Sequence, residues 1–325
     1  MGLMVGLALL AAGLLKQDIE RVLTRPIRAE TPVLFEITKG QGISSVGAAL
    51  AHLGFLERPV YLRLEAMRLG LAGRLQAGVY ELGPGLTPRE ILRRFVRGEV
   101  KRYRFTVVEG STFKSLRAQI ATLPGVAQTV TGLSDEALLE KLGARGEAAE
   151  GRFFPSTYEY LHHTADLALY RRAHAEMRRV LGAAWKARQA DLPYRSPEEA
   201  LIMASIIEKE TGLASERAEI SGVFIRRLQR GMRLQTDPTV IYGLGKDFDG
   251  NLRKGDLLRD TPFNTYTRAG LPPTPIALPG EAAILAALNP SPGGALYFVA
   301  RGDGSHEFSA TLAAHQRAVR RYQLQ

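Results

Sequence analysis

The chain has 325 residues, 45% of them apolar, so it can bury a sizeable core and is not a disordered or low-complexity chain. Its length favours two domains, and the absence of cysteine excludes disulfide scaffolds, thiolate zinc sites and cysteine catalysis. The net charge of +10 attracts anionic partners, but the basic residues are scattered and cluster only in pairs, so nucleic acid is not expected as a partner.

The first 15 residues carry no charged or polar side chain, and Lys16 ends this run. As a helix they extend about 22 Å, which is short for a hydrocarbon core of about 30 Å. We favour a single membrane anchor, and a true start further upstream would account for the shortness. The alternatives are a buried core helix and a signal peptide, but no small-residue cleavage site follows. Residues 16–32 are polar and predict a juxtamembrane linker.

Residues 33–100 have the pattern strand–helix–helix–strand–helix. Short apolar runs at 33–37 and 78–82 predict the two strands, and apolar residues at helical spacing lie between them. Residues 87–90 (TPRE) form the pattern of a capping box with proline at the first helical position, which predicts a helix to about Gly98. An alternating strand then begins near Val100, which places a domain boundary there.

The remaining residues, 101–325, are mostly helical with a few short strands, which predicts an α+β domain. Residues 196–199 (SPEE) predict a second capping box and the start of a helix. The next eight residues, 200–207, are apolar on every face except for Ser205, a pattern that is typical of a buried helix. This helix leads directly into Glu208 and Glu210 and is expected to stop at Gly212.

Glu208 is the strongest candidate for chemistry in this helix. Burial and the negative end of the helix dipole both disfavour a carboxylate anion, so a glutamate there stays protonated near neutral pH, as a general acid must. The alternative is that the chain surfaces here and Glu208 pairs with Lys209 or with an arginine of the next helix. Glu210 lies two residues further along the helix and is expected to point elsewhere.

Other residues give weaker signals. The six histidines have no ligand spacing, and the glycine pairs lack a nucleotide-binding fingerprint, so neither a metal nor another cofactor is predicted. Residues 235–239 (QTDPT) and 262–266 (PFNTY) combine polar and aromatic side chains, as the wall of a sugar-binding cleft does. Residues of this kind also occur in ordinary turns.

Five motifs in this order resemble those of the endolytic murein transglycosylases, the MltG-type or YceG-like family. The resemblance covers residues 33–325 and implies a LysM-like subdomain at 33–100, a catalytic domain at 101–325 and a membrane anchor at 1–15. It also implies that the catalytic domain lies on the periplasmic or extracellular side of the cell membrane. The motifs are 204–211 (ASIIEKET), 233–240 (RLQTDPTV), 264–266 (NTY), 270–276 (GLPPTPI) and 286–290 (AALNP).

The resemblance implies a non-hydrolytic reaction, with the family's catalytic glutamate at Glu208. Glu208 would protonate the oxygen of the β-1,4 bond between MurNAc and GlcNAc. It would then take the proton from the MurNAc C6 hydroxyl, which closes on C1 as a 1,6-anhydro ring. Glycan strands, the membrane and peptidoglycan synthases are the implied partners, and termination of strand elongation is the implied role. We expect further substrate contacts from Gln235, Asp237, Asn264, Tyr266, Phe154 and Tyr158.

Two other functions stay open from the sequence. A hydrolytic muramidase needs a second carboxylate at a defined separation, and Asp237 or Glu219 could supply it. A non-catalytic scaffold would bind peptidoglycan and give no product. The family usually carries Asp where Ser156 stands, which weakens the expectation that this loop binds ligand.

Overall fold

The computed structural model describes residues 2–323, which form two compact units. The first unit comprises the chain up to Tyr103 together with Glu159–His163. The second comprises Arg104–Tyr158 and the chain from Thr164 onward. Helices dominate, and the strands form two-stranded sheets, so the fold is mixed α+β, as the sequence predicted.

The first helix, α1 (Gly2–Thr24), contains the whole described part of the apolar run and continues well beyond it. Within residues 2–323 it is the one helix that is long and apolar enough to cross a membrane. The predicted linker is therefore helical as far as Thr24. The reason is that Val22 and Leu23 are buried in the core of the first unit, where Ile27 joins them, so this part of the helix has an apolar face to bury.

The rest of the first unit is a two-stranded antiparallel sheet packed against three helices. Its core includes Phe35, Tyr80 and Phe95, whose rings contact one another. In the sheet, Phe35 lies opposite Tyr80. The elements are β1 (Val33–Ile37), α2 (Ile43–His52), α3 (Pro59–Arg68), β2 (Gly78–Leu82), α4 (Pro88–Arg97) and the start of β3 (Arg102–Thr106), a strand that continues past Tyr103 into the second unit.

The predicted capping box of α4 is confirmed. The Thr87 hydroxyl accepts a hydrogen bond from the Glu90 backbone N–H, and the Glu90 carboxylate accepts one from the Thr87 backbone N–H at 2.8 Å. The helix ends at Gly98, whose φ of 66° lies in the left-handed region that a helix C-terminus often requires.

The second unit is built around helices that surround α8. Strand β4 pairs with β6 in parallel, β3 pairs with β5, and β7 and β8 form an antiparallel hairpin. The helices and strands are α5 (Phe113–Ala121), β4 (Val126–Ala127), α6 (Asp135–Lys141), β5 (Thr157–Leu161), β6 (Thr164–Ala165), α7 (Asp166–Lys186), α8 (Pro197–Glu210), α9 (Arg217–Gln229), α10 (Asp237–Leu244), α11 (Lys254–Leu258), α12 (Glu281–Leu288), β7 (Tyr297–Ala300), β8 (His306–Ser309) and α13 (Leu312–Tyr322).

Helix α8 is buried as predicted, since every residue from 200 to 207 lies in the interior, where α7, α9 and α12 pack against it. Its capping box was predicted wrongly. In the described chain the Ser196 side chain makes no capping bond. Glu199 instead accepts hydrogen bonds from the backbone N–H and the guanidinium Nε of Arg195, at 2.7 and 2.8 Å. The charge-assisted pair with Arg195 is stronger than the neutral bond that a capping box offers.

Candidate active site

The C-terminal end of α8 carries two glutamates that face different surroundings. Glu208 and Glu210 are two residues apart, so their side chains leave the helix about 200° apart. Thr211, in an extended conformation, follows as the C-terminal cap. The buried body of α8 holds this end of the helix in place, and the two carboxyl groups therefore have fixed and distinct environments.

Glu208 is buried and has partners on both oxygens. Its side chain is 6% exposed, and one oxygen lies 3.7 Å from a guanidinium nitrogen of Arg217, at the start of α9. The other oxygen accepts a hydrogen bond from the Gly280 backbone N–H at 2.9 Å. Burial raises the pKa of Glu208, and the nearby Glu109 carboxylate adds to the rise. The structure therefore shows both features that the sequence left as alternatives, a raised pKa and an arginine partner from the next helix.

A cleft of about 610 Å³ lies beside Glu208, next to Gly110, whose backbone is close to the Glu208 side chain. Glu150 lines this cleft and accepts hydrogen bonds from the Phe113 backbone N–H at 2.9 Å and the Tyr242 hydroxyl at 3.2 Å. Burial raises the pKa of Glu150 as well. Three lysines border the cleft, and among residues 2–323 none of them has a carboxylate within ion-pair distance. They are Lys114, Lys209 and Lys246.

Glu210 has the more strongly perturbed carboxyl group. Burial raises its pKa to about 7, and the neighbouring Asp237 carboxylate adds to the rise. A hydrogen bond from the Thr236 hydroxyl, at 2.8 Å, and the nearby Arg227 guanidinium act in the opposite direction. At neutral pH this group is present in both protonation states, so it can give and take a proton without a large energetic cost.

The pocket beside Glu210, which we call the Glu210 pocket, has a volume of about 470 Å³. Gln235, Asp237 and Tyr266 line it, and the Tyr266 hydroxyl donates a 2.5 Å hydrogen bond to Asp237. Arg227 is 7% exposed, and its guanidinium lies 5.1 Å from the centre of the Tyr297 ring. Acidic, amide and aromatic side chains thus face one cavity, as a site for a polar sugar requires.

The structure separates the six predicted substrate contacts. Gln235, Asp237 and Tyr266 meet in the Glu210 pocket, away from the Glu208 carboxyl group. Asn264 is fully buried, and its amide donates hydrogen bonds to the carbonyl groups of Asp256, Leu257 and Arg259, so it shapes the loop from inside.

Phe154 and Tyr158 belong to another part of the second unit. The Tyr158 hydroxyl donates to the Phe154 carbonyl at 2.7 Å, and its ring stacks on Phe105. The Phe154 ring packs against the core around α8. These contacts give both side chains a structural role in holding the chain before α7.

The sequence analysis missed Glu210, Arg227 and Glu150 as site residues. The helix-face rule showed that Glu210 points away from Glu208, but not which loops lie on its side. Arg227 follows Arg226 in α9, and the sequence held no signal that distinguished the buried arginine of this pair. No group of three His, Cys, Asp or Glu side chains within residues 2–323 is placed to hold a metal ion.

Comparisons with known proteins agree with one another. The model of the YceG-like family matches residues 35–321. A Bacillus subtilis (strain 168) protein named endolytic murein transglycosylase is 30% identical over 311 residues, which is 90% of this chain and 86% of that protein. A Streptococcus pneumoniae serotype 2 protein of the same name is 26% identical and covers 91% of this chain, while the match spans 60% of that protein. The crystal structure of a yceG-like protein from Listeria monocytogenes matches with a TM-score of 0.55 and 26% identity, over 88% of this chain and 99% of that chain.

Proposed function

The chain belongs to the YceG-like family, and from this membership we propose that it is a membrane-anchored endolytic transglycosylase of peptidoglycan. Its substrate is the β-1,4 bond between MurNAc and GlcNAc in nascent glycan strands, and its products carry 1,6-anhydro-MurNAc ends. Cleavage within a strand would terminate its elongation. The observation that carries the proposal is Glu208, whose buried carboxyl group at the end of α8 has a raised pKa and lies beside a cleft of about 610 Å³.

The site supports a two-step proton transfer by one carboxyl group. Protonated Glu208 donates its proton to the glycosidic oxygen as the bond to C1 of MurNAc breaks, and the GlcNAc leaves with a free hydroxyl. The Glu208 carboxylate then accepts the proton of the MurNAc C6 hydroxyl, whose oxygen bonds to C1. One carboxyl group suffices because the nucleophile belongs to the substrate, and Glu208 ends the cycle protonated.

Glu208, which the sequence assigned to this role, remains our proposal. Its side chain is buried, its pKa is raised, and it lies beside the cleft of about 610 Å³. The Gly280 backbone N–H and Arg217 are placed to stabilise the carboxylate that forms when the proton is given up. Glu210 is the competing assignment, because burial raises its pKa to about 7 and three of the predicted substrate contacts line its pocket. The same experiment decides between the two residues.

A hydrolytic muramidase is the second candidate function, and Asp237 is the observation that favours it. Asp237 lines the same pocket as Glu210, and its carboxylate could activate a water molecule. The two reactions differ in their products, because hydrolysis gives reducing ends that contain one more water than anhydro ends. A non-catalytic scaffold would bind strands and release neither product.

The test is a digest of uncrosslinked peptidoglycan by the full-length chain, followed by mass spectrometry. We expect anhydro ends from the unchanged protein and a loss of about 10²–10⁴-fold in rate for Glu208→Gln, which keeps the shape of the side chain but cannot transfer the proton. The matched control is Glu210→Gln in the same helix, which should stay within about tenfold.

The opposite order of activities would move the general acid to Glu210. Reducing ends would show a muramidase, and the absence of any product from the unchanged protein would show a scaffold. Both variants need an unaltered thermal transition, since loss of activity together with the fold would mark a structural residue.

The first unit and the membrane topology complete the proposal. Residues 33–100 have the strand–helix–helix–strand order expected of a LysM-like subdomain, and we assign them the binding of glycan rather than its cleavage. Helix α1 anchors the chain in the cell membrane, with both units on the periplasmic or extracellular side, where peptidoglycan is found. Peptidoglycan synthases, which produce the nascent strands, are the protein partners that this role implies.

A further inference from the structure

Helix α3 exposes a continuous apolar stripe. Val60, Leu64 and Met67 are 53%, 44% and 56% exposed, and their spacing of four and three residues places them on one face of the helix. Single exposed apolar residues are ordinary in proteins. Three on one face of a ten-residue helix form a contiguous apolar surface, which is typical of an interaction site.

The two sides of the stripe are basic. Arg63 and Arg68 are exposed and lie on either side of the apolar face by the helical geometry. The opposite face of α3 is buried, because Tyr61, Leu62 and Ala66 belong to the core of the first unit. An apolar face bordered by cations on an otherwise packed helix is typical of helices that lie in a membrane interface.

Both ends of α3 are tied to the same short part of α1. Near its start, Arg58 and Tyr61 contact the Asp18 carboxylate at 3.2 and 2.8 Å. Further along, Glu65 accepts a hydrogen bond from Arg89, which also contacts Glu20 at 2.8 Å. Asp18 and Glu20 follow the last residue of the apolar run by only about 5 to 8 Å along the helix axis. Helix α3 therefore crosses α1 close to the point where the anchor leaves the hydrocarbon.

The stripe lies on the face of α3 that is turned away from the core. This core also contains Val22, Leu23 and Ile27, which lie beyond Asp18 on the side away from the apolar run. The core therefore leaves the side chains of the stripe uncovered, on a helix that is tied to α1 just after its apolar run.

We propose that Val60, Leu64 and Met67 lie in the headgroup region of the membrane in which α1 is anchored, with Arg63 at the phospholipid phosphates. Arg68 is held by the Glu65 carboxylate, to which its guanidinium donates hydrogen bonds of 2.9 and 3.0 Å. This inference rests on the membrane anchorage proposed above and adds a second contact to it. Two contacts fix the first unit flat against the bilayer, so a strand bound there is held close to the membrane surface, where nascent strands emerge.

The test places a fluorescent label at single cysteines of the full-length chain in phospholipid vesicles that contain phosphatidylglycerol. The chain has no cysteine of its own, so only the introduced residue is labelled. Leu64→Cys and Met67→Cys probe the stripe. Leu34→Cys is the matched control, since Leu34 is 47% exposed but pairs with Glu81 on a charged face of the sheet.

We expect a lipid with a quencher near its headgroup to quench the labels at positions 64 and 67 at least about twofold more strongly than the label at 34. Equal quenching at the three positions, in protein that floats with the vesicles, would overturn the inference and leave the anchor in place. Failure of the full-length chain to float would overturn the anchor as well, and the peptidoglycan digest would still report on the proposed activity.

Discussion

The groups around Glu210 shift the pKa of its carboxyl group in opposite directions. Burial and the Asp237 carboxylate favour the neutral acid, while the Thr236 hydroxyl and Arg227 favour the anion, and the resulting pKa is about 7. Because Tyr266 donates to Asp237, the Asp237 carboxylate is held in place next to the acid. The Glu210 pocket thus contains a carboxyl group with a raised pKa beside a second carboxyl group that is held by a tyrosine.

The raised pKa of Glu208 predicts how the rate depends on pH. The first step needs the protonated acid, which is lost as the pH rises through that pKa. We therefore expect kcat/KM for glycan cleavage to fall about tenfold for each pH unit on the alkaline side of that pKa. Rates measured on a soluble glycan from pH 5 to 9 would show this fall, and Glu210→Gln should show it unchanged. A rate that stays constant up to pH 9 would contradict the assignment of Glu208.

Asn264 and Gln235 should respond differently to replacement by alanine. Asn264→Ala removes the buried amide that binds three carbonyl groups, so it should lower the free energy of unfolding by about 1–3 kcal/mol and reduce activity together. Gln235 is exposed in the Glu210 pocket, so Gln235→Ala should weaken glycan binding and leave stability within about 0.5 kcal/mol. Denaturant unfolding and glycan binding of both variants check this. Equal stability of the two variants would contradict the structural role of Asn264.

The two capping boxes predicted from the sequence show why elements are easier to locate than their contacts. Both patterns placed a helix start correctly, at Pro88 and at Pro197. Only the first forms the reciprocal bonds, because at α8 the residue before the cap, Arg195, attracts the carboxylate of Glu199. A local pattern fixes where a helix can begin, and a neighbouring charge decides which hydrogen bonds are made there.

This difference gives a paired prediction for helix stability. Thr87→Ala removes a formed capping bond and should reduce the stability of α4 by about 0.5–2 kcal/mol. Ser196→Ala removes a side chain without a capping bond in the described chain, and its effect on α8 should be within about 0.5 kcal/mol. Hydrogen exchange of the amides in the two helices measures both effects. Equal protection losses would show that the cap geometry does not determine stability here.

The sequence predicted the buried helix α8, the order of elements in the first unit and the α+β class, because each depends on apolar periodicity and local turn residues. It did not predict that α1 reaches Thr24, since the polar residues after Lys16 hide the few apolar ones that face the core. Its assignment of the general acid to Glu208 stays a prediction, because helical spacing shows that the side chains of Glu208 and Glu210 diverge but not which loops fold against each. The grouping of Glu210 with Asp237 and Tyr266 depends on tertiary contacts between segments that lie far apart in sequence.

For the molecule as a whole, the charge of +10 suits its proposed surroundings. Peptidoglycan strands with peptide stems and bacterial phospholipids are both anionic, and a basic protein is drawn to both surfaces. The three lysines at the cleft beside Glu208 lie in the second unit, and the arginines that flank the α3 stripe lie in the first. Positive charge is thus available at the substrate and at the membrane.

Helix α1 runs without a break from the apolar run into the core of the first unit. Its length therefore sets both the height of the first unit above the anchor and the rotation of the unit about the helix axis. Each residue inserted between Lys16 and Val22 would lift the unit by about 1.5 Å and turn it by about 100° around the anchor. One inserted alanine should therefore turn the α3 stripe away from the bilayer, whereas seven alanines, close to two full turns, should restore its direction about 10 Å further out. Cleavage of strands that are still attached to the membrane, compared with cleavage of free glycan, would measure the effect. If the first unit were on a flexible tether, both insertions would leave this activity equally unchanged. A loss of activity with one alanine that seven alanines restore would show that the rotation of the unit about α1 matters for cleavage.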